Sequence, residues 1–138
     1  GRPRGPVTLF SDWAKRLIPA MQAQGVSRLV AVTAAAYVPA KNPPLFFRLV
    51  IRPLLFRFLG PLYDDHQRME ALVAASPLRW TIVRPTRLLD RPRTGRYRTA
   101  IDDLVPGSIT IPRADVADFM LQCVAEDSRA LQCVTVST

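Results

Sequence analysis

The chain has 138 residues, enough for one domain, and its apolar fraction of 49% supports a buried core and excludes a disordered composition. Lysine and arginine number 19 against 11 aspartate and glutamate, and this net charge of +8 favours anionic partners: a phosphorylated cofactor, a nucleic acid or an anionic membrane surface. The two cysteines form no Cys-x-x-Cys pair, which argues against a metal site and is typical of reduced thiols in a cytoplasmic protein.

The first predicted elements are a helix, a short strand and a loop. A helix is predicted over Thr8–Gln24, because apolar residues recur there every four positions, and Thr8 or Ser11 is expected to cap it. Gly25 ends this helix, and the apolar run Arg28–Val32 then predicts a strand. Residues 34–42 are predicted to form a loop.

Segment 43–61 combines arginines at intervals of four or five residues with bulky apolar residues. This pattern predicts two short basic amphipathic helices divided at Pro53, and its arginines exclude a membrane span. Two interpretations of the segment remain open. It is a lid over a substrate, since it joins a strand to the next helix, or it is a contact segment for a membrane surface or a partner.

The remaining predicted elements alternate between helices and strands. They are a helix over Tyr63–Ala75, a strand over Arg79–Val83, two weaker strands over Arg96–Ile101 and Ser108–Ile111, a helix over Asp115–Ala125 and a strand over Leu131–Val136. Such alternation is typical of an α/β fold with a parallel sheet. Asp115 and Asp118 are interpreted as a helix cap and a solvated helix turn.

A polar, basic loop follows the strand that ends at Val83. It begins with Arg84-Pro85 and closes on Thr94–Tyr97. The carboxyl ends of parallel strands are where open α/β sheets bind ligands. Because Thr33 and Ala34 follow the predicted strand Arg28–Val32, they should lie beside this loop.

Four stretches of the chain resemble one protein family when they are taken together and in order. They are Gly25–Val30, Trp80–Pro85, the Thr-Gly-Arg-Tyr closure at 94–97, and Arg113–Met120. Together they resemble the atypical short-chain dehydrogenase/reductase superfamily, in the NAD(P)H-binding branch that includes NmrA-like proteins and biliverdin/flavin reductases. The resemblance implies a Rossmann-like parallel sheet with flanking helices.

The resemblance covers only the carboxyl-terminal half of that family. No Gly-x-Gly-x-x-Gly turn occurs in the sequence, so the expected fold is incomplete, and residues 1–138 are interpreted as the carboxyl-terminal portion of one NAD(P)-binding domain. Strand Arg28–Val32 would then lie at an exposed, apolar sheet edge. We expect a carboxyl-terminal fragment, a truncated reading frame or a partner of another chain, and the exposed edge allows a homo-oligomer.

The resemblance implies which residues meet the cofactor and the substrate. The cofactor, NADP or NAD with NADP favoured, is expected to contact residues of the two strand ends: Thr33, Ala34, Arg84, Pro85 and Thr86. The substrate is expected to contact Arg87, Tyr97 and His66. Other interpretations remain open: Arg87 as a solvated loop residue, His66 as a packing residue, and Tyr97 either packing over the loop or closing the pocket.

No catalytic residue is assigned from the sequence. The Tyr-x-x-x-Lys pair of ordinary short-chain dehydrogenases is absent, since Gln67 follows Tyr63 at that spacing, and Ala34 stands where a serine is expected. The resemblance therefore implies an NAD(P)H-dependent oxidoreductase-like domain acting on a flavin or quinone rather than an alcohol dehydrogenase. The alternative is a non-catalytic NAD(P)-sensing or interaction module. No nucleic-acid motif is present, and nucleic acid is not expected as a partner.

Overall fold

The computed structural model describes residues 6–38, 49–50 and 52–138. The described residues fall into two compact units. One unit holds two helices, α1 (Leu9–Ala23) and α2 (Arg52–Ala74). The other holds six strands and a third helix, and it contains the predicted strand ends. The predictions for residues 39–48 and 51 lie outside the described residues.

Helix α1 is capped by α2 rather than by its own side chains. The Asp65 carboxylate accepts hydrogen bonds from the Phe10 amide at 2.7 Å and from the Ser11 amide and hydroxyl at 3.3 and 2.5 Å. The prediction that Thr8 or Ser11 caps the helix was therefore wrong, because the buried Asp65 carboxylate is the acceptor for these amides instead. Burial by itself raises the pKa of Asp65, but these hydrogen bonds outweigh burial and lower the pKa overall.

Helix α2 begins eleven residues earlier than its predicted start at Tyr63. Pro53 lies in its first turn, where a missing amide proton breaks no intrahelical bond. Pro61 lies inside the same continuous helix. Helix α2 therefore joins the end of segment 43–61 to the predicted helix, and the helix predicted before Pro53 lies largely outside the described residues.

The sheet unit has a mainly parallel sheet, as the alternation predicted. Its strands are β1 (Arg28–Val32), β2 (Arg79–Pro85), β3 (Arg87–Leu89), β4 (Arg98–Ile101), β5 (Thr110–Pro112) and β6 (Gln132–Ser137). The order in the larger sheet is β1-β2-β6-β4, with β1, β2 and β6 parallel and β4 antiparallel. Strands β3 and β5 form a separate parallel pair. The segment containing β3 was predicted as loop, so that assignment was incomplete.

Helix α3 (Arg113–Ala125) packs on one face of the sheet. The core between them is entirely apolar and is made by residues at alternating strand positions and at helical spacing: Val83, Ile111, Val116, Phe119, Cys123, Val134 and Val136. Burial of such a core is the main source of stability for the unit. It also fixes the carboxyl ends of β2 and β6 relative to the start of α3.

The Arg28 side chain joins three elements of the sheet unit at the amino ends of β1 and β2. Its guanidinium donates to the Cys123 carbonyl at the end of α3, to the Arg79 carbonyl at 2.7 Å and to the Thr81 hydroxyl at 2.7 Å. Thr81 in turn donates to the Arg129 carbonyl at 2.6 Å. Burial lowers the pKa of Arg28. The arginine therefore satisfies backbone carbonyls that the strand ladder leaves without donors.

Strand β1 is an edge strand, as the sequence predicted. Within the described ranges it pairs only with β2, and Val32 is 43% exposed. Among the same residues, no helix is long and apolar enough to cross a membrane.

Candidate functional site

The predicted strand ends meet at one edge of the sheet. The Thr33 amide, just after β1, donates to the Val83 carbonyl of β2 at 2.9 Å, and the Thr86 amide donates to the Val136 carbonyl of β6 at 3.3 Å. These bonds continue the parallel ladder one residue beyond each strand. The three carboxyl ends are therefore aligned, which is the arrangement that α/β sheets use for ligand sites.

A chain of hydroxyl groups crosses this edge. The Thr86 hydroxyl lies 2.8 Å from the Ser137 hydroxyl, which lies 2.7 Å from the Ser108 hydroxyl. Ser137 is fully buried at the end of β6. Pro85 is also buried, whereas Ala34 is half-buried in an extended conformation. Thr86 therefore has a structural hydrogen bond in addition to any ligand contact.

The Arg84 side chain lies against the sheet edge rather than in solvent. Its guanidinium carbon is 5.9 Å from the centre of the Tyr37 ring, and one nitrogen is 3.9 Å from the Asp102 carboxylate. Only 14% of the Arg84 side chain is exposed. A cation held between a ring and a carboxylate is positioned without being neutralised completely. Arg84 thus links the loop after β1 to the turn after β4.

Arg87 begins strand β3 and is exposed. Its amide donates to the Ile109 carbonyl at 3.0 Å, which ties the backbone to the start of β5. No carboxylate of the described residues pairs with its guanidinium. The backbone at Arg87 is therefore fixed while its side chain remains available to solvent and to ligands.

Asp115 holds the Thr-Gly-Arg-Tyr closure against the start of α3. Its carboxylate accepts hydrogen bonds from the Thr94 amide at 2.7 Å, the Thr94 hydroxyl at 2.6 Å and the Gly95 amide at 2.9 Å. Gly95 has a φ of +65°, a conformation that favours glycine. Asp115 is fully buried and makes no bond to its own helix, so its interpretation as a helix cap was wrong.

Sequence reasoning missed this role of Asp115, although a signal was present. Thr94-Gly95 and Asp115 both lie in stretches that carried the family resemblance, but only the folded chain brings them into contact. Burial by itself raises the pKa of Asp115, and the Thr94 and Gly95 hydrogen bonds outweigh burial and lower the pKa. The carboxylate is therefore charged at neutral pH.

Tyr97 packs on α3, with its hydroxyl donating to the Asp118 carboxylate at 3.0 Å. Its ring meets Phe119 edge-on, with the ring centres 5.8 Å apart. Burial and the Asp118 carboxylate raise the pKa of Tyr97 to about 12. Asp118 also pairs with Arg93 at 2.8 Å and is only 18% exposed, so its interpretation as a solvated turn was wrong. Of the two interpretations of Tyr97, the geometry supports packing.

His66 lies in the other unit, on α2, and is buried. Its ring packs edge-on against Phe10 at 4.3 Å between ring centres. Burial lowers the pKa of His66, opposed by the Glu70 and Asp65 carboxylates. These contacts suit a packing role, and a substrate contact by His66 stays a prediction.

Two further features of the described residues bear on the chemistry. Nowhere in the described ranges do three or more metal-ligating side chains come together. A groove runs along α1, in the helix unit, and is lined by Thr8, Leu9, Asp12, Trp13, Arg16, Leu17 and Ala20. The strand-end edge therefore offers backbone groups, hydroxyls and arginines.

Comparison with known families gives one match that spans most of the chain. A family described as NAD(P)H-binding matches residues 2–127. This range includes the carboxyl ends of β1 and β2, the loop that Asp115 binds and the whole of α3.

Solved structures with the same fold include three reductase-type proteins. A short-chain dehydrogenase/reductase from Veillonella parvula DSM 2008 is 18% identical over 93% of this chain, with a TM-score of 0.73. A second structure from that organism, in complex with NADP, is 18% identical over 94% with a TM-score of 0.70. ChuY, an anaerobillin reductase from Escherichia coli O157:H7, is 19% identical over 97% with a TM-score of 0.71.

These likenesses establish a Rossmann-like fold. The chain spans 57%, 58% and 61% of the lengths of those three proteins.

Proposed function

The chain belongs to the NAD(P)H-binding family, and from that premise we propose that it forms part of an NAD(P)H-dependent reductase acting on a flavin or quinone. Residues 1–138 would make up the carboxyl-terminal portion of one NAD(P)-binding domain. The observation that carries the proposal is the alignment of the β1, β2 and β6 carboxyl ends at Thr33 and Thr86. The chain spans only 57% and 61% of two of the related structures, which supports its assignment to a portion of the domain.

The strand-end residues fit the nicotinamide end of the cofactor. Ala34 carries only a methyl group, so a flat ring can approach its backbone, and Pro85 and Thr33 provide a buried floor. The sequence contains no glycine-rich turn of the kind that binds the diphosphate. When bound, NAD(P)H supplies a hydride. The residues of this chain orient the ring and keep water from the sheet edge.

NADP is preferred to NAD in this proposal. The net charge of +8 favours the cofactor with the additional phosphate, and a related structure was determined with NADP. Phosphate recognition by arginine is strong because guanidinium groups make paired, charge-assisted hydrogen bonds.

A flavin or quinone substrate suits the acid–base groups of the strand-end edge better than an alcohol or ketone. Carbonyl reduction requires a positioned proton donor, and the Tyr-x-x-x-Lys pair is absent. The Tyr97 hydroxyl is bound to Asp118, and its raised pKa makes it a poor acid. Flavin and quinone reduction takes its proton from solvent, so the chain has to supply only binding and orientation.

The proposal is tested by an NADPH fluorescence titration of the purified chain, with circular dichroism on the same sample. We expect saturable binding by a folded chain and a loss of about tenfold in affinity for Ala34→Phe, since a bulky ring would fill the position of the nicotinamide. Ala117→Phe, at an exposed position on α3, is the matched control and should bind like the unsubstituted chain. Equal affinity for the two variants would refute the assigned position.

The second candidate function is an interaction module, and one observation supports it. On α2, Leu54 and Phe58 are 54% and 59% exposed one turn apart, with Arg57 exposed between them. Segment 43–61 contains Arg48, Arg52 and Arg57 and no acidic residue. An exposed apolar stripe with basic flanks fits an anionic membrane surface.

This candidate predicts co-sedimentation of the chain with phosphatidylglycerol-containing vesicles. Phe58→Ser should reduce the bound fraction severalfold, because a bulky apolar side chain no longer enters the lipid interface. Leu121→Ser removes a side chain on α3 that is 69% exposed and should leave the bound fraction unchanged. Equal sedimentation of the two variants, or no sedimentation of the unsubstituted chain, would exclude the membrane role.

A further inference from the structure

Arginines are concentrated around the strand-end edge. Six of them stand between positions 84 and 98, where the only acidic residue is Asp90. The nearby carboxylates are already paired: Asp102 with Arg84, Asp118 with Arg93, and Asp90 with Arg113. The local positive charge therefore exceeds what the chain itself neutralises.

Four arginines of this stretch have no acidic partner among the described residues. They are Arg87, Arg91, Arg96 and Arg98, and we refer to them as the edge arginines. All four are exposed. Exposed guanidinium groups without carboxylate partners favour the binding of an anion. The edge arginines therefore indicate that the ligand carries a negative charge.

Two of the edge arginines lie on either side of the carboxyl end of β6. Arg98 of β4 is the ladder partner of Ser137, and the Ser137 hydroxyl is bonded to Thr86, the residue before Arg87. The backbones of Arg87 and Arg98 therefore flank the same strand end. Their side chains start from opposite sides of the carboxyl end of β6.

The other two edge arginines are on a loop that is held in place. Arg96 directly follows the Thr94-Gly95 pair that Asp115 binds, and the Arg96 amide donates to the Thr94 hydroxyl at 3.1 Å. Arg91 follows Asp90, which is paired with Arg113 at the start of α3. Because the loop backbone is held at Thr94 and Gly95, less conformational entropy is lost when the Arg96 side chain binds an anion.

We propose that the edge arginines select a substrate that carries a phosphate or carboxylate group on its tail, so that among flavins the site prefers FMN to riboflavin. This inference rests on the proposed reductase function and names its substrate class. A guanidinium group binds a phosphate through two parallel hydrogen bonds. The isoalloxazine ring is identical in the two flavins, so the phosphate alone accounts for the preference.

The 2′-phosphate of NADP has the same chemistry and is the other source of an anion. The two sources are separated by comparing each ligand with its partner that lacks the phosphate: FMN with riboflavin, and NADPH with NADH. The proposal assigns the edge arginines to the flavin pair. Loss of the NADPH preference alone in an arginine variant would overturn that assignment.

The test is a titration of FMN and of riboflavin with the full chain, followed by isoalloxazine fluorescence. We expect FMN to bind at least tenfold more tightly, with the difference falling as salt rises from about 0.05 to 0.5 M, since exposed charges are screened. The variant Arg87→Ala/Arg98→Ala should bring the two affinities within about twofold. Arg87→Lys/Arg98→Lys should restore part of the preference, because charge returns without paired hydrogen bonds.

The matched control keeps the net charge of the alanine variant. Arg16→Ala/Arg57→Ala removes two exposed arginines from the helix unit and should leave the FMN preference intact. Equal affinity for the two flavins, or an equal loss in both double variants, would overturn the inference. NADPH binding with no flavin preference defeats the inference alone. A flavin preference without NADPH binding defeats the proposed function alone and leaves the anion selectivity established.

Discussion

Replacement of Asp115 by alanine is expected to lower the free energy of unfolding by about 3 kcal/mol, because it removes a fully buried carboxylate that accepts three hydrogen bonds from the loop. The donors are the Thr94 amide and hydroxyl and the Gly95 amide. We expect the loop around Arg96 to lose its fixed position at the same time. Urea denaturation followed by circular dichroism measures the first effect, and the rate of tryptic cleavage within residues 91–96 measures the second.

The control for this prediction is Asp90→Ala. Asp90 is paired with Arg113 at the start of α3, but Asp90 is 89% exposed. Its replacement should therefore lower the free energy of unfolding by less than about 0.5 kcal/mol. The pKa of Asp115 is lowered, so its stabilising contribution is complete above its ordinary pKa and is lost as pH falls below that value. Equal stability of the two variants at neutral pH, or an Asp115 effect that grows on acidification, would contradict the clamp.

Replacement of Arg28 by alanine is the second large effect that we expect, at about 2–3 kcal/mol of unfolding free energy. The substitution removes the donors to the Cys123 and Arg79 carbonyls and to the Thr81 hydroxyl. Since the acceptors belong to α3 and β2 and Arg28 itself belongs to β1, the ends of these three elements lose a common link. Thermal denaturation should show a midpoint about 8 °C lower.

Two companion variants make the Arg28 prediction specific. Arg28→Lys keeps the charge but has one compact donor group instead of a planar fork, so its midpoint should lie between those of Arg28→Ala and the unsubstituted chain. Arg16→Ala, at an exposed position on α1, should change the midpoint by less than about 1 °C. A lysine variant as stable as the unsubstituted chain would show that charge, and not the hydrogen-bond geometry, is what matters at Arg28.

The sheet could be predicted from the sequence because its strands are short apolar runs bounded by clear breaks. Arg28–Val32 was predicted with the bounds that the structure gives, and Arg79–Val83 fell short by two residues. Strand β2 is buried between β1 and β6, and β1 buries Leu29 and Ala31, so local hydrophobicity and tertiary burial agree in both strands. The exposed edge at β1 followed from the same reasoning, since nothing before the strand supplied a partner.

Elements whose form depends on distant residues were predicted less well. The capping of α1 comes from Asp65, 54 residues after Ser11, and no local pattern near Thr8 contains that information. Strand β3 has three residues and exists because β5 pairs with it. Helix α2 continues past Gly60-Pro61. A proline at this position predicts the end of a helix, but the helix is continuous through it.

The alignment of the strand ends was predictable from the sequence, but the bonding around them was not. Thr33 and Thr86 were chosen by the rule that ligands meet the carboxyl ends of parallel strands, and their contact with a cofactor stays a prediction. The anchoring of Tyr97 by Asp118 did not follow, because Asp118 read as one exposed helix residue among several. The contacts of Arg84 could not be predicted for the same reason, since Tyr37 and Asp102 approach it only in the folded chain.

In the proposed function, the aligned strand ends receive the nicotinamide end of NAD(P)H. An NMR titration of the isotopically labelled chain with NADPH locates the bound cofactor, because each backbone amide reports its own environment. We expect the largest shifts on Thr33, Ala34, Thr86 and Arg87, with small shifts along α1. Largest shifts on α1 or α2, or no saturable shifts from a folded chain, would contradict it.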